Sequence, residues 1–338
     1  MSVSVLVSGA TGFIAQHTIK LLLSKGYNVV GTVRSAEKGE HVTKLFNSPN
    51  FTYEVVPSLT TPGAFDDVMK NHPEVTVFLH TASPVSFKVL DVENDMLIPA
   101  VEGTKNALNA IQNYGQQIKH VVVTSSVMAL VSVAQINDPS IRITEDSKSP
   151  VTWEEAKANS VVAYFGAKKF AENAAWDFYE QEKPAYSLNV IRPVLVFGPQ
   201  AFDSEVKDEL NVSAEVINQL LKLNPDSKLP EEKGGFVDVR DVAKAHVAAF
   251  EDGFNGKRLL MHSEMFTAQK LLNILNGHFD ELKGKLPTGN PESGNEDPVV
   301  AEIDNLQTRE LLGFPFVDLH TSVVDSVAQI FKAKQSSK

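Results

Sequence analysis

The chain has 338 residues, of which 43% are hydrophobic, enough for a sizeable core and against wholesale disorder. Its 31 Lys and Arg against 42 Asp and Glu give a formal charge of −11, which argues against binding nucleic acid or an anionic membrane surface. Cysteine is absent, so disulfides, thiolate catalysis and Cys-based zinc sites are excluded. The length suggests one large α/β domain or two domains sharing a cleft. The N-terminus carries no basic or cleavage-site pattern, and no apolar run approaches a membrane span. A cytoplasmic protein is expected, with the nucleus possible. The nine histidines form no HExxH motif and no close cluster, so no metal is expected.

Strand-like and helix-like segments alternate through the first half. Residues 2–7 read as a strand, followed by a glycine-containing turn and a helical stretch over 13–24. Residues 28–33, 52–56, 75–80 and 120–124 repeat the strand pattern with helical stretches between them, and 187–192 add a further strand. Such alternation predicts right-handed βαβ units in a parallel sheet with helices on both faces. The run Val121-Val122-Val123 fits a strand buried on both sides. After Pro193 the alternation loosens. Helices are expected over 212–223, 239–250, 268–275 and 319–331, a strand over 257–261, and a surface loop over 284–298. The predicted fold is α/β, a Rossmann-type doubly wound parallel sheet with a smaller C-terminal α/β substrate domain. The expected division assigns 1–193 and about 236–254 to the dinucleotide-binding domain. It assigns 194–235 and 255–331 to the substrate domain, and leaves 332–338 as a frayed tail.

Gly9-Ala10-Thr11-Gly12-Phe13-Ile14-Ala15 joins the first strand to the first helix. Gly9 suits the tight turn, Gly12 allows the backbone to approach a pyrophosphate, and Ala15 allows close helix packing. The N–H groups of the helix start are then available to the phosphates. The motif follows a strand and opens a helix, the context that distinguishes a dinucleotide site from a chance pair of glycines. At the end of the second strand, an NAD site usually places an acid for the ribose 2′-hydroxyl. Here Arg34 stands there with Lys38 one turn later, which suits a 2′-phosphate and predicts NADP(H).

Tyr164 and Lys168 are spaced i, i+4 on one face of a predicted helix. A second pair with the same spacing, Tyr179 and Lys183, fails on context, because Lys183 precedes Pro184 and is biased out of the helix. Thr124-Ser125-Ser126 closes a strand whose C-terminal end is where ligands bind in open parallel sheets. Carbonyl reduction creates an alkoxide that needs an acid. A Tyr hydroxyl can serve, a nearby Lys ammonium favours its phenolate, and a Ser hydroxyl can orient the carbonyl oxygen. Asp238 and Asp241 read as helix capping and packing residues, His80 and His246 as structural, and Trp153 and Trp176 as packing residues.

Together these residues resemble the extended short-chain dehydrogenase/reductases. More narrowly, the chain is similar to the yeast NADPH-dependent carbonyl and methylglyoxal reductases, relatives of the plant dihydroflavonol reductases. The similarity runs from Val3 to about Phe331. Its most specific pieces are Leu79-His80-Thr81-Ala82-Ser83-Pro84, Leu97-Ile98-Pro99-Ala100-Val101, Phe170-Ala171-Glu172, Val196-Phe197-Gly198-Pro199-Gln200 and Val237-Asp238-Val239-Arg240-Asp241-Val242-Ala243-Lys244-Ala245-His246. The resemblance implies a catalytic set of Ser126, Tyr164 and Lys168, with Lys168 also binding the nicotinamide ribose. It implies that Gly9, Ala10, Thr11, Gly12, Phe13 and Ile14 hold the pyrophosphate and that Arg34 and Lys38 bind the 2′-phosphate. Ser58 and Leu59 fall near the adenine, Thr81, Ala82 and Ser83 near the nicotinamide ribose, and Pro193, Val196 and Ser213 at further cofactor contacts. Relatives often carry an acid where this chain has Ser58. Val85, Val131, Val162 and Leu195 are implied substrate-pocket positions, aliphatic here where relatives can be aromatic at Val85, Val131 and Leu195.

The reading is thus an NADPH-dependent reductase of aldehydes and ketones, acting on a small-molecule carbonyl substrate as a monomer or homodimer. Two alternatives stay open. A nucleotide-sugar epimerase or dehydratase of the same fold would retain NAD, which Arg34 disfavours. A non-catalytic NADP(H) sensor would tend to lose the Tyr or the Lys.

Overall fold

The computed structural model describes residues 3–83 and 90–336. In chain order, β1 (Ser4–Ser8), α1 (Phe13–Ser24), β2 (Asn28–Val33), α2 (Ala36–Phe46), β3 (Phe51–Val55), α3 (Asp66–Asn71) and β4 (Val75–His80) open the fold. A π-helical turn, Glu93–Leu97, runs into α4 (Ile98–Tyr114), and β5 (His120–Thr124) follows. Then come α5 (Val133–Ile136), β6 (Arg142–Ile143), α6 (Trp153–Ala156), α7 (Ser160–Glu182) and β7 (Ser187–Pro193). The remainder comprises β8 (Leu195–Phe197), α8 (Val212–Leu220), β9 (Lys233–Asp238), α9 (Val239–Glu251), β10 (Arg258–Met261) and β11 (Glu264–Thr267). The last elements are α10 (Ala268–His278), β12 (Glu302–Ile303), α11 (Leu306–Leu312) and α12 (Leu319–Ser336).

Seven strands form one parallel sheet in the order β10-β7-β5-β4-β1-β2-β3. Successive residues of each inner strand enter opposite layers. Val77 and Leu79 join one core with Val5, Val7 and Val122, under α1 and α9. Phe78 joins the other with Leu6, Val121 and Val123, under α3 and α4. Burial on both faces is why these strands read as unbroken apolar runs. The order reverses between β1 and β4, which opens a crevice at the strands' C-terminal ends.

A second sheet, β11-β9-β8, has its own core of Phe197, Phe236, Phe266 and Leu271 beneath α10 and α12. Three boundaries differ from expectation. Residues 258–261, expected in the smaller unit, pair with β7 as the edge strand of the main sheet. Helix α12 continues through Ser336, so the expected frayed tail is helical over most of its length. Phe236 and Val237, expected with the larger domain, pair with β8 in the second sheet, while α9 packs on β5 and β7.

Close packing of α7 positions the residues discussed below. At Gly166, between Tyr164 and Lys168, an added Cβ would lie 2.4 Å from Ala156 Cβ and 3.2 Å from Leu97 Cδ2. Gly166→Ala would gain about 1 kcal/mol of helix propensity. Overpacking typically costs about 1–3 kcal/mol and should outweigh it. The expected result is a lower denaturation midpoint; a raised midpoint would show that α6 yields freely.

Candidate active site

The glycine loop leaves β1 through Gly9, whose φ of +72° belongs to the left-handed region that a side chain disfavours. A Cβ there would also approach Ala82 to 3.1 Å. The loop is pinned at both ends. Gly9 N–H donates to Thr32 Oγ1 at 3.1 Å, and Ala10 N–H donates to the Thr32 carbonyl at 2.8 Å. Gly12 is the N-cap of α1, so the first N–H groups of that helix open beside it. Across the switch point, Ser8 Oγ accepts from Ala82 N–H at 3.0 Å and shares a 3.0 Å hydrogen bond with His80 Nδ1. Thr81 Oγ1 donates to the Ser8 carbonyl.

These pieces enclose a cleft of about 580 Å³. Gly9, Thr11 and Gly12 form its base; Thr81, Ala82 and Ser83 form the β4 side; Ser58 and Leu59 lie beyond β3. Arg34 and Lys38 stand at its β2 end, both exposed. Among the described residues neither has an ion-pair partner. Ser35 caps α2 by accepting from Lys38 N–H, which fixes the turn between the two cations. Ser58 Oγ lies 2.9 Å from Thr60 Oγ1.

At the β5 end, Ser126 caps a 3₁₀ turn, its Oγ accepting from Met128 N–H at 3.2 Å and lying 3.4 Å from the Pro193 carbonyl. It also hydrogen-bonds Tyr164. Lys168 Nζ lies 5.8 Å from the centre of the Tyr164 ring. Ser126, Tyr164 and Lys168 therefore meet at the C-terminal edge of the sheet. Lys168 is 8% exposed, and burial pulls its ammonium down to about 8. Tyr164 moves opposite to the expected direction. Dehydration of its hydroxyl pushes it above the ordinary value, against the downward pull of the Ser126 hydrogen bond. His80 is pulled down to about 4 by burial and then by the Lys168 charge, and is neutral at physiological pH. His246 is likewise held near 4 by burial, between Thr124 Oγ1 at 2.7 Å and the Val242 carbonyl at 2.8 Å, so both histidines are packing groups.

The buried ammonium has a consequence for stability. Between about 8 and the ordinary 10.5, the folded chain has released the Lys168 proton while the unfolded chain still holds it. Stability contributed by this residue therefore rises with pH across that window, and the full cost of burying the charge applies below it. Denaturant unfolding of cofactor-free protein should show a smaller rise in Lys168→Met than in the parent chain. Equal pH dependence of the two would place the ammonium in solvent.

Several expected residues lie apart from the cleft's lining. Ala10 is fully buried and packs in the main core beneath the loop, while Phe13 and Ile14 form the first turn of α1. Pro193 ends β7, Val196 is buried in β8, and Ser213 opens α8. Of the four pocket positions, Val85 lies outside the described residues. Val131 is 2% exposed in the main core, so its side chain is already covered by protein. Val162 packs beside Met96 and Leu97, and Leu195 against the second sheet's core. The sequence reading missed Asn94, Asp95 and Pro99, which line the cleft from the π-helical turn and the start of α4. Pro99 lies in the stretch Leu97-Ile98-Pro99-Ala100-Val101 that carries the resemblance, but nothing in its spacing marks a π-turn. The decoy pair is resolved: Lys183 is the C-cap of α7 at φ 45°, and Tyr179 donates to Asn255 Oδ1 at 3.1 Å. Among the described residues, no group of three or more His, Asp or Glu side chains could hold a metal, and no helix is long and apolar enough to cross a membrane.

A parallel sheet with a glycine loop at its switch point and a Ser–Tyr–Lys group at its edge defines a dinucleotide-dependent protein of the short-chain dehydrogenase/reductase class. The chain belongs to the NAD dependent epimerase/dehydratase family, whose model matches residues 5–260. It is 53% identical to the putative NADPH-dependent methylglyoxal reductase GRP2 of Candida albicans, over 97% of this chain and 98% of that one. It is 46% identical to the NADPH-dependent methylglyoxal reductase GRE2 of Saccharomyces cerevisiae, again over 97% and 98% of the two chains. The crystal structure of yeast methylglyoxal/isovaleraldehyde reductase Gre2 complexed with NADPH superposes with a TM-score of 0.95 at 45% identity, covering 98% of this chain and 99% of that one.

Proposed function

We propose that the protein is an NADPH-dependent reductase that converts aldehydes and ketones to alcohols. The observation that carries the cofactor choice is the pair Arg34 and Lys38 at the end of β2, without an ion-pair partner among the described residues, where an NAD site would place an acid. The residues present fit the dinucleotide: a loop that needs Gly9, the start of α1 beyond Gly12, and two exposed cations placed for a 2′-phosphate. The 46–53% identity to NADPH-dependent methylglyoxal reductases supports the same reading.

Within residues 9–14, Gly9, Ala10 and Gly12 shape the loop by bonding to Thr32 and to the Gly9 carbonyl, and Thr11 with Phe13 and Ile14 at the start of α1 offers N–H groups to the pyrophosphate. Arg34 and Lys38 hold the 2′-phosphate, Ser58 and Leu59 border the adenine, and Thr81, Ala82 and Ser83 with Lys168 border the nicotinamide ribose. The likeness to NADPH-dependent relatives supports further cofactor contacts at Pro193, Val196 and Ser213, which stand outside the cleft lined by Gly9 and Arg34. Bound NADPH supplies the hydride. Ser126 donates a hydrogen bond to the carbonyl oxygen and orients it, and Tyr164 gives that oxygen its proton as charge develops. Dehydration keeps the Tyr164 hydroxyl protonated at neutral pH, which suits an acid working in the reducing direction. Lys168 places a cation at the same edge until pH passes about 8. Val162 and Leu195 face the substrate between the main sheet and the smaller unit, and Val131 supports that wall from the core.

The test is oxidation of NADPH and of NADH, side by side, against a panel of aldehydes, diketones and ketones. Turnover with NADPH well above that with NADH is expected. Cofactor binding without turnover of any carbonyl would overturn the reductase reading. Protein purified with firmly held NAD would point instead to the epimerase chemistry of the wider family.

A further inference from the structure

The stripe of α7 that carries Tyr164 and Lys168 continues to Glu172, since positions four apart share a helix face. Glu172 is 4% exposed, yet it has no shortage of partners. Its carboxylate accepts from Ser125 Oγ at 2.6 Å, from Trp176 Nε1 at 3.2 Å and from Arg192 Nε at 3.1 Å, and Arg192 Nη2 donates to it as well. Arg192, also 4% exposed, spends Nη1 on the Glu145 carbonyl at 2.6 Å. The ion pair is thus fully engaged and joins the C-terminal ends of β5 and β7 to the middle of α7.

Ser125 and Ser126 are neighbours, and each grips the same helix at a different place. Ser126 meets Tyr164, while Ser125 meets Glu172. The two grips are eight residues apart, about 12 Å along the axis at 1.5 Å per residue. One contact fixes a distance but leaves a helix free to turn about it or slide; two fix its register as well. A buried ion pair adds little net stability over apolar packing of the same volume, so stability alone gives weak reason for its place here.

We propose that Glu172 is a positioning residue: through Ser125 it locks the end of β5 to α7, and so holds Ser126 against Tyr164. The inference rests on the carbonyl-reductase reading of those two residues.

A double-mutant cycle tests it, because residues that act through one another are non-additive. Ser125→Ala removes the link but leaves the Glu172–Arg192 pair intact. It should lower kcat roughly ten- to a hundredfold, as misplacement of a reacting group does, with the dissociation constant for NADPH unchanged. In a Ser126→Ala background, Ser125→Ala should cause no further loss, and Ser125→Thr, which keeps the hydroxyl, should restore the parent rate. The same fractional loss in both backgrounds would overturn the proposal, as would a loss that Ser125→Thr fails to rescue. An unchanged kcat in Ser126→Ala alone would instead sink the catalytic assignment. The cycle decides the matter even where Glu172→Ala fails to fold.

Discussion

Tyr164→Phe should lower kcat for carbonyl reduction by about 10²–10⁴-fold, the usual contribution of a positioned general acid, while NADPH binds as before. Phenylalanine keeps the ring in place between Ser126 and Lys168 and removes only the hydroxyl, whose dehydration holds it protonated. The missing proton donor acts on the transition state, so the loss belongs in kcat and kcat/KM rather than in cofactor affinity. The combined Tyr179→Phe and Lys183→Met variant is the internal control. Its residues have the same sequence spacing but sit at the far end of α7, with Lys183 in a left-handed cap. Cofactor binding measured by fluorescence and single-turnover rates separate the two steps. Comparable losses in the control and in Tyr164→Phe would place the active helix face elsewhere.

What could be read from the sequence follows from how local each signal is. Strands such as β4 and β5 are legible because burial on both faces gives them unbroken apolar centres, Val77-Phe78-Leu79 and Val121-Val122-Val123. The glycine loop is legible because one backbone conformation at Gly9 demands one residue type. Long-range pairing is harder. Residues 258–261 have a strand's composition, but nothing local says that they dock beside β7 rather than in the smaller sheet. The polar end of α12 looks like a tail because its helical form depends on continuation from a packed segment that includes Val323 and Val327. Electrostatics is harder still. The residue types at positions 164 and 168 suggest a cation lowering a phenol's pKa, whereas burial dominates both groups and moves them in the directions that dehydration dictates. Ser125 looks redundant beside Ser126 until the structure shows it bound to Glu172, 47 residues away.

Arg34→Ala should raise the KM for NADPH about ten- to a hundredfold more than the KM for NADH, matching the roughly 1.5–3 kcal/mol carried by a hydrogen bond to a charged group. The reasoning starts from the end of β2, where the chain turns through Arg34 into the Ser35 cap of α2. Both Arg34 and Lys38 are exposed there and, among the described residues, unpaired, so neither spends its charge on the fold. Removing one should leave stability nearly unchanged, as surface substitutions usually do. Only NADPH carries a phosphate at the 2′ position, so only its binding loses the guanidinium contact, and screening by salt should weaken NADPH binding more in the parent than in the variant. Lys38→Ala should lower NADPH affinity in the same direction but by less, because an ammonium lacks the two-pronged geometry that a guanidinium offers a phosphate. The combined variant should come closest to treating the two cofactors alike. Equal losses for NADPH and NADH in Arg34→Ala would show that the residue supports the cleft without reading the 2′-phosphate.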